Sequence, residues 1–513
     1  MHTASIELAV MDPTLRNRIV ASVAALLAVV LAWQLASGNP VWAILCGAIL
    51  VIISLEWIGW VRQEAALLGL VLVGYIIGNR GFAQLSPFGN APIFFGEIGL
   101  AFGLFMTLVR GAMQRRLPWR NDWLNRAVLL WIVVGSIRIW HDFRTFGAPA
   151  LRDFATIYYA VYFFIAQAAN EHEGSRRWLR GCMVFSTTAL PLVSLLYTLF
   201  PDFFLTKLTF RGVPLIYQKN DLVASFLFAG AFFLMSLPRQ TLWVRFSTLF
   251  SLGSGLAWLS RAAMVALLAV TGVWSWARQW RPLRQLALTA GVGLIGILAH
   301  AAVQHESFTE TPAYAIYEHL VSIADVSGTR SYKNTESADS GDNNRFRLVW
   351  WKTVVDDTFR ENPWLGLGFG RDLAEDFVVN YGLWGDESFN VRSPHSLVFT
   401  MLGRLGLAGL LALGVLTAAL LGAFLHVAVV AARERRVTRR PSLIALGWLS
   451  AAWVVFISSW FGVVLEGPMG AVVFWVTLGI ANDERRSPTE IEAEAENDVR
   501  KIEETESFVK LVR

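Results

Sequence analysis

Charge is scarce in this sequence, and lysine is scarcer still. Only 16% of the 513 residues are Asp, Glu, Lys or Arg, against about 25% in soluble domains. The deficit runs along most of the chain, which excludes a string of soluble domains as its main organisation. The two cysteines, Cys46 and Cys182, each fall inside an apolar run. They read as small packing residues, not as a disulfide or a metal pair. No G-x-x-x-x-G-K-[ST] segment is present, so nothing points to ATP hydrolysis. The eight histidines form no zinc spacing. Gly366-Leu367-Gly368-Phe369-Gly370 is glycine-rich but follows Pro363 and not a strand, so it does not read as a nucleotide loop. Only six of the 44 basic residues are Lys. A GC-rich genome accounts for that bias, as does retention of Arg for bidentate phosphate binding.

What the chain has is apolar length. Hydrophobic residues make up 55%, and a membrane span needs roughly 20 in a row. Candidate spans lie at 19–36, 40–60, 64–79, 91–109, 124–140, 154–170, 181–200, 221–237, 243–259, 261–277, 285–303, 396–431, 442–463 and 468–482. The expectation is an all-α polytopic membrane protein of about fourteen transmembrane helices, within a range of about 12–14, with one large extracytoplasmic loop. Arg16 and Arg18 precede the first run and Ala36-Ser37-Gly38 follows it, as in a signal peptide. A second span starts almost at once, so an uncleaved first helix is expected.

Basic residues mark the cytoplasmic side. With the N-terminus inside, Arg62, the 110–120 arginines, Arg176, Arg177, Arg180, Arg239, Arg245, the 278–284 arginines and the 433–440 arginines all fall in inward gaps. The chain then divides into an N-terminal bundle (1–303), an outer loop (304–395), C-terminal spans (396–482) and a charged cytoplasmic tail (483–513). Within the loop, Ser327 to Asn344 reads as mobile. Asp342 or Asn343 then caps a helix whose apolar face holds Phe346, Val349, Trp350 and Val354, widened by Leu348, Trp351, Val355 and Phe359. Glu361-Asn362-Pro363 ends it. Such a helix suits the bilayer surface or a cap on the bundle.

Charges on the outer side run against the inside-positive bias. Arg261 sits in the tight turn Leu259-Ser260-Arg261-Ala262, where a snorkelling Arg and a functional one are both compatible with the sequence. Lys207, Arg211 and Lys219 lie in the outer gap 201–220, Arg345 and Arg347 open the amphipathic helix, and Arg138 and Arg144 flank another outer end. An anionic ligand such as a lipid diphosphate explains cations there. His395 follows Ser393-Pro394 at the edge of a long apolar helix, and a proline at a helix start fixes its place. A lone histidine is more often structural than catalytic. Glu466, before Gly467-Pro468, is a candidate to orient His395, to neutralise an Arg, or simply to sit solvated at the interface. Glu56 and Glu97 fall in spans and are expected in ion pairs. The short gap Ala36 to Pro40 has no carboxylate, which argues against enzymes that hold a metal with acidic residues there.

Several of these segments together resemble the O-antigen ligase and polysaccharide polymerase superfamily. The matching stretches are Asn344-Arg345-Phe346-Arg347-Leu348-Val349-Trp350-Trp351, Glu361 to Gly370, Pro394-His395-Ser396-Leu397, and Gly403-Arg404-Leu405-Gly406-Leu407-Ala408-Gly409-Leu410. Ser260-Arg261 and Asn220-Asp221 resemble two further elements. Ser396 stands where the family usually has Asn, Arg404 where an acidic residue is common, and the N-terminal spans exceed the family's usual number. The resemblance implies transfer of an undecaprenyl-diphosphate-linked saccharide to an acceptor hydroxyl, on sugar or lipid core, at the periplasmic face of a bacterial inner membrane, inverting and without a metal or other cofactor. His395 is then the base or acceptor-orienting group, and Arg261 and Arg347 hold the diphosphate. Arg345, Arg211, Lys219, Asn220, Trp351 and Glu466 would line the substrate site. Polymerase and ligase are not separated, and no nucleic acid is expected.

Two other classes compete. A transporter or flippase of lipid-linked saccharide or small anion would show paired repeats and broken helices, which are not evident in the sequence. A membrane scaffold would tolerate loss of Arg261 and His395.

Overall fold

The computed structural model describes residues 61–86, 93–115, 120–304, 335–380, 392–434 and 441–485, with scattered positions within 26–50 and 314–321. Apart from those scattered positions, the spans expected at 19–36 and 40–60 lie outside the described residues, as do Glu56, His305 and the tail beyond 485.

Uninterrupted apolar runs become helices because only a helix satisfies its backbone internally in lipid. They are α1 (Gln63–Gly78), α2 (Arg80–Ala83), α3 (Phe95–Gln114), α4 (Trp123–Phe146), α5 (Ala148–Asp153), α6 (Ala155–Tyr158), α7 (Val161–Asn170) and α8 (Glu173–Leu199). A π-helical turn (Phe203–Lys207) and a two-residue hairpin, β1 (Thr209–Phe210) and β2 (Val213–Pro214), precede α9 (Asn220–Ser236). Then follow α10 (Leu242–Ala257), α11 (Arg261–Trp276), α12 (Arg281–Gln304), α13 (Thr335–Glu361), α14 (Glu375–Asn380), α15 (Leu397–Arg433), α16 (Pro441–Ser459) and α17 (Pro468–Glu484). Among the described residues five helices are long and apolar enough to cross a membrane by themselves, and shorter apolar ones pack beside them. The protein is an all-α, multi-pass membrane protein.

The centre is α9, buried at every position from Leu222 to Ser236 and packed against α10 and α16. Polar contacts gather at two ends. At one, Arg110 pairs with Glu64 at 3.0 Å, Arg485 with Asp122 at 2.7 Å, Arg180 with Glu484 at 3.0 Å and Arg176 with Asp483 at 3.4 Å. These are arginines that the charge pattern assigns to one side. The helices that leave this end return His395, Arg261 and Lys219 to the other.

Three expectations need correction. The span expected at 154–170 is broken into α6 and α7. Tyr162 and Phe163 donate to carbonyls three residues back, a tightened turn with no Pro or Gly to announce it. The tightening aims both Tyr158 and Tyr159 at Glu97, which accepts from their hydroxyls and from the Phe94 N–H. Glu97 is therefore held by phenols and not by the ion pair expected for it. Helix α13 begins at Thr335, ahead of the anticipated cap at Asp342 or Asn343 and inside the stretch taken as mobile. Ser, Asp and Asn disfavour a helix interior by only about 0.5 kcal/mol each, and the packed second half of α13 outweighs that. Its apolar residues divide between a packed strip and an outward one. Trp350 and Val354 are buried against Leu373, Ala374 and Phe377, whereas Leu348, Val349 and Phe359 are exposed.

Candidate active site

The site is assembled at the starts of α9, α11 and α15, beside α13, which packs against α15. Each helix start is set locally. The Asn79 side chain accepts from the N–H groups of Arg80 and Lys219, at 2.9 and 3.2 Å, and so fixes the entry to α9. Ser260 caps α11 by accepting from Ala263 N–H, with Leu259 in the left-handed region at φ +47, which turns the chain sharply and leaves Arg261 at the first helical position. His395 has φ +54 and precedes Ser396, which begins α15. Helix starts carry the positive end of the backbone dipole, so this rim favours anions.

Two tryptophans hold His395. Trp350, stacked on Phe377 at 4.9 Å, lies with its ring 6.0 Å from the imidazole. Trp351 donates to the Pro394 carbonyl at 2.7 Å and stacks on Phe399 at 4.7 Å. One turn earlier, Arg347 Nη1 donates to the Phe461 carbonyl at 2.9 Å, while its buried Nε has no partner among the described residues. Burial first, then the neighbouring Arg261 guanidinium, lowers Arg347 to about 10, with Asp221 opposing. Burial first, then Arg347 and Lys219, lowers the imidazole to about 4, again opposed by Asp221. Lys219 Nζ is 3.4 Å from Asp221 Oδ2. Three cations, one carboxylate and a neutral imidazole thus share one electrostatic neighbourhood.

The expected residues separate into groups. Arg261, Arg347, Lys219 and His395 are brought together. Trp351 is engaged with the His395 segment, and Asn220 is exposed at the first turn of α9 beside Asp221. Arg211 sits exposed at the hairpin tip, its guanidinium over the Phe210 ring at 5.3 Å. Arg345 lies in the part of α13 where only the backbone is described. Glu466 accepts from Thr400 at 2.9 Å, behind the His395 segment.

Sequence reading gave no site role to Asp221 and Arg404, although both lie in the matching stretches, and did not single out Asp153 or Arg392. Arg404 is buried on α15 and pairs with Asp153 at 2.8 Å. It also donates to the carbonyls of Gly368 and Arg371. These contacts pin the glycine-rich segment. Leu367 N–H reaches Gly403 O at 2.7 Å and Leu407 N–H reaches Pro363 O at 2.9 Å, across a break in α15 at Gly406, φ +62. On the other side Asp142 accepts from Phe369 N–H at 2.7 Å and Asp153 from Gly370 N–H at 2.9 Å. The three glycines serve close backbone packing. A buried Arg in a span announces a partner, but sequence alone does not say which carboxylate it is.

Among the described residues no group of three or more His, Cys, Asp or Glu is arranged to hold a metal. What the site can do is bind an anion between fixed guanidiniums beside a neutral imidazole. No curated protein matches the chain. The family model described as O-antigen ligase matches residues 241–414, a stretch that contains Arg261, Arg347, His395 and the pinned glycine segment. That match supports the likeness of this stretch to the O-antigen ligase and polysaccharide polymerase superfamily.

Proposed function

We propose that the protein is a glycosyltransferase of a bacterial inner membrane that moves a saccharide from undecaprenyl diphosphate to an acceptor hydroxyl at the outer face, either extending a polysaccharide or ligating one to a lipid core. The observation that supports this reading is the meeting of Arg261, Arg347 and Lys219 with His395 at one end of an apolar bundle.

The chemistry follows from those groups. The acceptor oxygen attacks the anomeric carbon, and the bond from that carbon to the diphosphate oxygen breaks. The diphosphate leaves with the electron pair and its growing charge is stabilised by Arg261 and Arg347. Donors fixed in place before reaction stabilise that charge most in the transition state. The acceptor proton passes to the neutral His395 imidazole. Direct displacement inverts the sugar carbon.

The test uses purified protein with undecaprenyl-diphosphate repeat units, with and without a lipid-core acceptor. A ladder of products identifies a polymerase and a single shift of the core a ligase. His395→Ala should slow transfer by about 10²–10⁴-fold; full activity in a correctly inserted variant would end the assignment.

A further inference from the structure

Behind His395 lies a cavity of about 170 Å³, lined among others by Arg152, Asp153, Arg392, Thr400, Arg404 and Glu466. It shares two walls with the cationic rim. One is the segment 392–400, in which Ser393 and Thr400 face the cavity and His395 belongs to the rim. The other is the turn after α16, in which Phe461 takes the Arg347 bond while Val463 and Glu466 line the cavity. The lining is polar and charged but not self-satisfied. Asp153 makes its contacts with Gly370 N–H, Arg392 and Arg404 through Oδ2. Arg392 spends Nη2 on the Gly370 carbonyl at 2.7 Å, and its buried Nε has no partner among the described residues. A buried donor without a partner calls for an explanation, a ligand being one.

A hydrocarbon tail does not suit such walls, and of the three guanidiniums Arg392 and Arg404 already face Asp153, with Glu466 on the same lining, which leaves little net charge for a second diphosphate. A sugar ring suits them. It offers hydroxyls that donate to carboxylates and accept from guanidiniums, and the space holds about five waters, the scale of one ring. Burial lifts the Glu466 carboxyl above its ordinary range, opposed by Ser393, Thr400 and Arg404, so this group is adaptable toward a hydroxyl on either side of a hydrogen bond.

The geometry points to this cavity as the acceptor subsite, in which Glu466, Arg392 and the Asp153 carboxylate grip the acceptor's terminal sugar and turn one hydroxyl toward His395. This rests on the glycosyl-transfer reading above. It divides the two substrates between two sides of one turn: the lipid diphosphate on the Arg347 side, the acceptor sugar on the Glu466 side.

The experiment measures two things on the full-length protein and on Glu466→Gln and Arg392→Gln, each checked for monodispersity and thermal unfolding. The first is equilibrium binding of the phosphate-free repeat-unit oligosaccharide and, separately, of undecaprenyl diphosphate. The second is transfer at varied acceptor and varied donor. Both variants should weaken oligosaccharide binding and raise the acceptor KM by about tenfold or more, leaving undecaprenyl diphosphate binding and the donor KM within about twofold. A rise in donor KM alone would give the cavity to the donor sugar and overturn the proposal. So would unchanged acceptor KM and binding in folded variants. Failure of the parent reading looks different: the unaltered protein itself would show no transfer. If one variant does not fold, Ser393→Ala, on the same wall, carries the same expectation at smaller amplitude.

Discussion

His395 stands in a backbone conformation that residues with a side chain seldom adopt, at a cost of about 1–3 kcal/mol. The surroundings that impose it are the Trp351 bond to Pro394 and the start of α15. The same surroundings set its acidity. In the free site burial, Arg347 and Lys219 lower it to about 4, so the ring is neutral and ready as a base. Protonation removes the base, so activity falls as pH falls through this value. In the proposed function a bound lipid diphosphate would offset the two cations and raise the imidazole pKa. The acid limb of kcat/KM, which reports the free enzyme, should therefore lie near pH 4, and that of kcat at higher pH. Arg347→Gln should move the kcat/KM limb upward while lowering its plateau by about 10²–10³-fold. Coincident limbs in the unaltered enzyme would contradict this picture.

At the scale of elements, several span boundaries read from apolar runs lie close to the helices, whereas the run at 181–200 becomes Glu173–Leu199. The run 261–277 becomes Arg261–Trp276, and 221–237 becomes Asn220–Ser236. Hydrophobic length is a one-dimensional property, and a sequence carries it openly. Other features are not of that kind. The break between α6 and α7 depends on Glu97 from another helix. The site role of Asp221 is not legible in the sequence, because α9 is apolar all round and offers no stripe from which to read its phase. The pairing of Asp153 with Arg404 joins distant stretches. The fracture of α15 at Gly406 is hidden among neighbouring glycines and needs the facing segment to be seen. There a Cβ would come within 2.6 Å of Gly366 N and Pro363 O. With a positive φ as well, Gly406→Ala should cost about 2–5 kcal/mol, summing left-handed strain and overlap. Gly414→Ala on the same helix, with nothing within 4 Å of the added carbon, should be near neutral. Thermal unfolding in detergent distinguishes the two.

For the whole molecule, the ion pairs of Glu64, Asp122, Asp483 and Glu484 occupy one end, and the His395 cluster the other. By the inside-positive rule the first is expected in the cytoplasm. The described cysteine Cys46 and its counterpart Cys182 are both buried, so introduced thiols can be labelled selectively. Thr206→Cys, exposed before the β-hairpin, should react with an impermeant maleimide in intact spheroplasts. Arg177→Cys, at the opposite end and 66% exposed, should react only after permeabilisation. The reverse pattern would turn the site toward the cytoplasm and remove its lipid-linked donor from reach.

The fracture at Gly406 has a mechanical consequence. The piece of α15 that follows His395 offers the carbonyls of Gly403 and Arg404 to the glycine segment, and the long rod beyond the break donates Leu407 N–H and Ala408 N–H to the Pro363 and Trp364 carbonyls of that same segment. One loop thus splints both halves of a snapped rod. The angle between the halves, and with it the seat of the imidazole, is held from outside the helix by backbone bonds.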